Sequence, residues 1–219
     1  MISESLFGRK IILIGDNQYT MLEQIGEGAF SFVFKAEKVS SAQNNTYAIK
    51  KMHLQSQEFE KSAIQEIKAF QQFKHKNILQ MVDSKIILES ESKIAYLVFP
   101  YAEKGSLRGV LDARIHGLAS KSTLLNILHD FKSICEALSV LHSHSPPYIH
   151  QDIKPDNILI GFEGTPLLTD FGSCRTARRE ITTRAQSLSI ADEAAQFCTI
   201  SYRAPELFDP PRDTELDCR

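Results

Sequence analysis

The strongest constraint on this chain is one polar stretch, His150-Gln151-Asp152-Ile153-Lys154-Pro155-Asp156-Asn157, flanked by short apolar, strand-like pieces. A carboxylate, an ammonium and a carboxamide at that spacing come from a single loop. Phosphoryl transfer to a hydroxyl needs an acceptor for the departing proton, a cation near the γ-phosphate and a ligand for a metal ion. Asp152, Lys154 and Asn157 offer those three in that order. The competing reading is a polar turn that happens to hold these residues, and each further segment below weakens it.

The rest of the chain is compatible with such a site and excludes several classes. At 219 residues it fits one domain, or two small lobes sharing a cleft. Apolar residues at 42% and charged residues at 24% exclude collagen-like, disordered and coiled-coil chains. The net charge of −2 provides no basic field for nucleic acid, so no nucleic-acid partner is expected. Cys135, Cys174, Cys198 and Cys218 form no CxxC pair and have no histidine at metal-ligand spacing. That pattern argues against a disulfide framework or zinc site and for a reducing, cytoplasmic compartment. The longest apolar runs, such as Ile94 to Phe99, are too short to span a bilayer. The start lacks a signal-peptide core, and Ile2 stands where N-myristoylation needs glycine.

The first 100 residues read as strands with one helix. Ile11 to Ile14 is expected as an edge strand ended by a turn at Gly15-Asp16-Asn17. A strand from Tyr19, with Met21 and Ile25 on one face, stops at Gly26-Glu27-Gly28 and resumes as Ser31 to Ala36. This is a hairpin with a glycine-rich tip. Gln43-Asn44-Asn45 is turn chemistry before a strand over Thr46 to Met52. Ala63, Ile67, Phe70 and Phe73 recur every three or four residues, which predicts a helix from Glu58 to Lys74. Strands around Ile86 to Leu88 and Ile94 to Phe99 follow, and Pro100 ends the second. Beyond residue 101 the texture turns helical. Leu124, Leu128, Phe131, Cys135, Leu138 and Leu141 trace one face of a helix from about Thr123 to His142, terminated by Ser145-Pro146-Pro147. From Ser173 to about Gln196 the chain is polar.

Four more segments carry chemistry. Gly26-Glu27-Gly28-Ala29-Phe30-Ser31-Phe32-Val33 lies between two strands, where bare backbone amides can approach phosphate oxygens. Alone, such a tip is more often only a turn. Lys50 ends Tyr47-Ala48-Ile49-Lys50 on a strand, and Glu66 follows on the helix. A lone strand lysine is normally a solvated charge, but here it reads as a phosphate ligand held by Glu66. Asp170-Phe171-Gly172 lies thirteen residues after Asn157, and its carboxylate completes an oxygen-donor site for Mg²⁺.

Together with Ala204-Pro205-Glu206, these segments stand in the order of the protein-kinase signature set. The sequence resembles a eukaryotic protein kinase of the serine/threonine type over about residues 19–211. The resemblance implies an α+β, bilobal fold. It comprises an N-terminal extension (1–18), a β-rich N-lobe (19–100) and a partial helical C-lobe (101–219) with an activation segment at 170–206. It also implies ATP and Mg²⁺ as cofactors, with ATP in the inter-lobe cleft, and protein substrates with Ser or Thr acceptors. Lys50 and Gly26 to Ser31 would hold phosphates, including Glu27, Ala29 and Phe30. Ile25, Val33, Ala48 and Leu159 would sandwich adenine. Phe99 would be the gatekeeper, with Pro100, Tyr101 and Ala102 as the hinge. Asn157 and Asp170 would bind magnesium, and Asp152 would orient the substrate hydroxyl and accept its proton. Lys154 and Thr199 match the Ser/Thr type. The segment Ala194 to Phe208 is similar to the Numb-associated kinase family, which often carries an extra helix in the activation segment. Some of its members attach to vacuolar or Golgi membranes by acylation, but this N-terminus does not support such attachment.

Two departures shape the expectations. Gln151 replaces the arginine usual between His and Asp, so activity is expected not to depend on a loop phosphate gripped at that position. The chain also stops at Arg219, shortly after Ala-Pro-Glu, whereas the family's C-lobe runs on through further helices and usually a tryptophan; this chain has none. The expectation is therefore an incomplete catalytic domain that leaves Leu207, Phe208 and the helix at 123–142 with exposed apolar surface. The alternative is an inactive module that holds nucleotide or a partner without turnover.

Overall fold

The computed structural model describes residues 2–4 (backbone only), 10–28, 31–39, 46–89, 92–117, 123–177 and 179–217. The chain divides into two compact units, residues 1–71 with 79–102, and residues 72–78 with 103–219. No described helix is long and apolar enough to cross a membrane.

The first unit is built on an antiparallel sheet of β1 (Ile2–Glu4), β2 (Lys10–Ile14), β3 (Asn17–Gly28), β4 (Ser31–Lys38), β5 (Thr46–His53), β6 (Asp83–Glu89) and β7 (Ser92–Pro100). The strand order is β1-β2-β3-β4-β5-β7-β6. Helix α1 (Gln57–Gln72) follows β5. The expected strand over 11–14 is therefore not an edge, because β1 pairs with it on the outer side. Gly15 makes the tight β2–β3 turn possible. Its φ is +55°, and a Cβ there would lie 2.4 Å from the Asp83 carboxylate. Ile12, Ile14, Tyr19, Met21, Ile49, Ile94, Tyr96 and Val98 pack into one buried cluster, joined by the half-buried Phe34. Ile25 does not share the face of Met21. Register shifts on either side of Gln24 turn it outward, leaving Ile25 41% exposed against 8% for Met21. The turn expected at Gln43-Asn44-Asn45 lies outside the described residues.

The second unit holds α2 (Leu107–Ile115), α3 (Leu124–His142) and α4 (Arg184–Phe197), joined by short strands and 3₁₀ turns. The paired strands are β8 (Tyr148–Ile149) with β11 (Arg175–Thr176), β9 (Ile158–Ile160) with β10 (Pro166–Leu168), and β12 (Arg179–Ile181) with β13 (Thr214–Leu216). Helix α3 begins where expected, with Thr123 accepting a hydrogen bond from the Asn126 amide. Its buried stripe matches the predicted one only at the C-terminal end, where Leu141 is buried and Leu138 half-buried. Ser133, Ile134, Ala137 and Leu141 are buried, while Leu124, Leu125, Ile127, Leu128 and Phe131 are exposed, as is Cys135. Phe208 is also exposed, whereas Leu207 is half-buried. Cys135, Cys174 and Cys198 are unpaired, and Cys218 lies outside the described residues.

Candidate active site

In the first unit, Gly26, Val33 and Lys50 stand side by side across β3, β4 and β5. Ala48, two residues from Lys50, shares its face of the sheet. Lys50 Nζ lies 2.7 Å from Glu66 Oε1, and Glu66 on α1 is 1% exposed. A buried carboxylate so placed holds the lysine in one geometry, because separation would strand its charge in a poorly solvated site. Gly28 pairs with Ser31 at the hairpin end, and a Cβ on Gly28 would lie 2.9 Å from Ser31 Oγ. A side chain at 28 would make the Ser31 hydroxyl turn to another rotamer. Glu27 accepts a hydrogen bond from Gln24, and Ile25 is exposed; Ala29 and Phe30 lie outside the described residues. Phe99 is buried edge-on against Phe70, with centroids 4.8 Å apart. Pro100 pairs with Tyr47, and the Tyr101 amide donates to Thr46. Tyr101 and Ala102 are half-buried.

In the second unit the 150–157 loop forms one hydrogen-bonded cluster. Asp152 Oδ1 accepts the Thr199 amide at 3.0 Å, while Oδ2 accepts Lys154 Nζ at 2.7 Å and Asn157 Nδ2 at 3.0 Å. Asn157 Nδ2 also donates to the Asp152 carbonyl (2.8 Å), and Lys154 Nζ donates to Thr199 Oγ1 at 2.6 Å. The contact of Thr199 with the Asp and the Lys is the one the resemblance implies. Burial pushes the Asp152 carboxyl up, but the hydrogen bonds from Lys154 and Thr199, with the Lys154 charge, outweigh it and hold it below the usual range. Asp152 is therefore ionised at neutral pH and retains lone pairs for a substrate hydroxyl.

His150, 1% exposed, braces this loop. The Asp152 amide donates to Nδ1 (3.4 Å) and Nε2 faces the Thr169 carbonyl at 3.0 Å, which fits a neutral ring protonated at Nε2. Burial lowers its pKa against opposing pulls from Thr169, Asp170 and Asp152. The ring packs against Phe171, which also stacks on Phe73. The Thr169 amide donates to the Asn157 carbonyl (3.0 Å), so Asp170 begins directly beside Asn157. Asp170 is left-handed (φ 60°, ψ 74°), a conformation costing about 1–2 kcal/mol that the buried Phe171 and the β9–β10 pairing hold in place. Leu159, on β9, bridges to Ser106.

The residues present suit a magnesium ion. With Nδ2 engaged by Asp152, Asn157 presents Oδ1, and Asp170 adds a carboxylate. These are hard oxygen donors. Magnesium bound by one or two protein oxygens completes its shell with water and phosphate oxygens.

Sequence reasoning missed an ion-pair clamp between β11, β12 and α4. Glu193 on α4 accepts from Arg175 Nε at 2.6 Å and from Arg179 Nη1 and Nη2 at 2.7 and 3.1 Å. Arg175 also lies over the Phe197 ring, 4.1 Å from its centroid. Gln151 is left-handed at φ 67°, with its amide oxygen buried and unpartnered among the described residues. The extra helix, implied by resemblance, did have a local signal. Thr183 and Gln186 form a reciprocal capping box. Arg108 on α2 is likewise a missed contact, donating to Tyr202 and lying 3.6 Å from Asp156.

The protein kinase domain model matches residues 19–218. The chain is 33% identical to a probable serine/threonine-protein kinase of Dictyostelium discoideum, over 96% of this chain and 74% of that one. It is 34% identical to serine/threonine-protein kinase 16 of Homo sapiens, over 96% of this chain and 68% of the relative. It is 30% identical to serine/threonine-protein kinase ppk13 of Schizosaccharomyces pombe, over 93% and 68%. Matched over most of its length by the family's model and about a third identical to several members, the chain belongs to the protein kinase domain family.

Proposed function

We propose that the chain transfers the γ-phosphoryl group of ATP to Ser or Thr hydroxyls of protein substrates. The observation that carries this reading is the Asp152–Lys154–Thr199–Asn157 cluster, which joins an ionised carboxylate, a cation and a carboxamide within single hydrogen bonds. Asp152 orients the acceptor hydroxyl and receives its proton late, since a carboxylate held below its usual range is a weak base. Lys154, fixed between Asp152 and Thr199, sets its charge against the transferring group. Lys50, held by Glu66, takes the α- and β-phosphates, and the amides of Gly26 to Ser31 cover them. By the resemblance, Ile25, Val33, Ala48 and Leu159 are the adenine contacts, with Phe99 as gatekeeper and Pro100 to Ala102 as the hinge. Asn157 and Asp170 would hold Mg²⁺, which would supply positive charge to neutralise the phosphates. Positioning and electrostatics account for most of the rate.

The Arg175–Glu193–Arg179 clamp supports a loop ordered without a phosphate, in keeping with Gln151. The test is phosphotransfer from labelled ATP to a generic protein substrate, with Lys50→Ala and Asp170→Ala as controls. Label incorporation that both substitutions abolish supports the mechanism; incorporation surviving both refutes it.

A further inference from the structure

The sheet of the first unit curls until β2 and β6 meet. Lys10 pairs with Glu89 at 2.7 Å, and Lys85 Nζ donates to the Leu13 carbonyl at 3.3 Å. Lys50 and Lys51, adjacent on β5, face opposite sides of the sheet. Lys50 turns to Glu66, whereas Lys51 lies on the side of Ile49 and Tyr96, inside the curl. There a cavity of about 300 Å³ opens, walled by Ile12, Met21, Leu22 and Phe34, with Tyr96 and two lysines, Lys10 and Lys51. Curled and closed sheets recurrently hold small ligands at such mouths.

The charges around this cavity do not cancel. Glu89 engages Lys10 through Oε1 and the Tyr96 hydroxyl through Oε2, at 2.7 and 2.9 Å. Lys51 makes no hydrogen bond or ion pair with the described residues and feels Glu89 only at longer range. Burial, and then the charge of Lys10, hold its ammonium below the usual lysine range, against a weaker opposite pull from Glu89. A partly desolvated, unpaired cation over apolar walls is costly alone and complementary to one anion carrying an apolar body.

We propose that this cavity binds a small monocarboxylate, its carboxylate on Lys51 and its apolar tail against Ile12, Met21 and Phe34. At about 300 Å³ the cavity lies at the small end of ligand pockets, which suits a small body better than a nucleotide. Octanoate is such a body and is the probe. The experiment titrates octanoate into full-length protein carrying ¹³C-methyl methionine and follows the Met21 methyl signal. Octan-1-ol supplies the same tail without the charge. The proposal expects a saturable Met21 shift with octanoate, at least about tenfold weaker binding of octanol, and a similar loss in Lys51→Gln but not in Lys51→Arg. Leu22→Trp, which fills the cavity, should abolish the shift while leaving the melting temperature of the unliganded protein nearly unchanged. That variant keeps the test decisive even if Lys51→Gln folds poorly. No saturable shift with octanoate, or equal binding of octanol, or undiminished binding by Lys51→Gln, overturns the proposal.

Discussion

Replacing Glu193 by glutamine removes one negative charge from between Arg175 and Arg179 while keeping the shape of the side chain. Three charge-assisted hydrogen bonds are weakened, at 2.6, 2.7 and 3.1 Å. A hydrogen bond to a charged group is worth about 1.5–3 kcal/mol net, and a fully exposed ion pair about 0–1 kcal/mol. The Arg175, Arg179 and Glu193 side chains are 15%, 29% and 22% exposed, which places the clamp between those limits. A glutamine carbonyl still accepts one bond, so the expected loss is about 2 kcal/mol, or roughly 30-fold in the local opening equilibrium. Hydrogen–deuterium exchange reads this directly. Amides of α4 should exchange roughly 30-fold faster in Glu193→Gln, while those of β7 stay unchanged. The pH dependence carries the same signature. Burial pushes the Glu193 carboxyl up, but the hydrogen bond and charge of Arg179, then those of Arg175, outweigh it and hold it below the usual range. The clamp is therefore fully present above the unfolded glutamate pKa and is lost as pH falls through the lower folded value. Wild-type α4 should lose protection in that acid window, and the variant should show no such step. Exchange of α4 within about twofold of wild type refutes the clamp as the ordering element.

Two further outcomes follow from the same geometry. His150 is buried and neutral with a lowered pKa, so stability should fall once pH drops below about 6.5, where the unfolded histidine takes up its proton first. Urea midpoints for His150→Phe should show a shallower decline from pH 6.5 to 5; an unchanged slope would refute the assignment. Gly28→Ala should cost at most about 1 kcal/mol, because Ser31 Oγ, 2.9 Å from the added Cβ, can rotate away, and Ser31→Gly in the same chain should remove that contact cost in thermal melts. Additive losses in the double variant would argue against that contact.

The elements legible in the sequence were those whose signal is local. The glycine hairpin, the strand over Thr46 to Met52, the strand before Pro100, and α3 from about Thr123 all stand within a few residues of the expected places. Local signals for α2 and α4 also existed, at the Ser106 cap and the Thr183–Gln186 capping box, but their polar faces hid the helical period. Burial was less legible. Apolarity alone picked Leu124, Leu128 and Phe131 together with Leu141 as the inward face of α3; packing keeps Leu141 and adds Ser133, Ile134 and Ala137, two of them small enough to admit close neighbours. Register shifts around Gln24 turned Ile25 outward, and no pattern in the strand announces a bulge. In the loop, the residue types and spacing already named Asp152, Lys154 and Asn157. The Glu193 clamp, spanning fourteen and eighteen residues across two strands and a helix, left no trace in any periodicity.

The central claim is that Asp152 serves phosphoryl transfer to a Ser or Thr hydroxyl. The measurement that tests it most directly is the kcat of wild type and Asp152→Asn on matched peptides differing only in Ser against Tyr at the acceptor. The account predicts transfer to Ser far exceeding transfer to Tyr, and a loss of about 10²- to 10⁴-fold in the variant without loss of fold. A variant as fast as wild type, or equal transfer to Tyr, would contradict it.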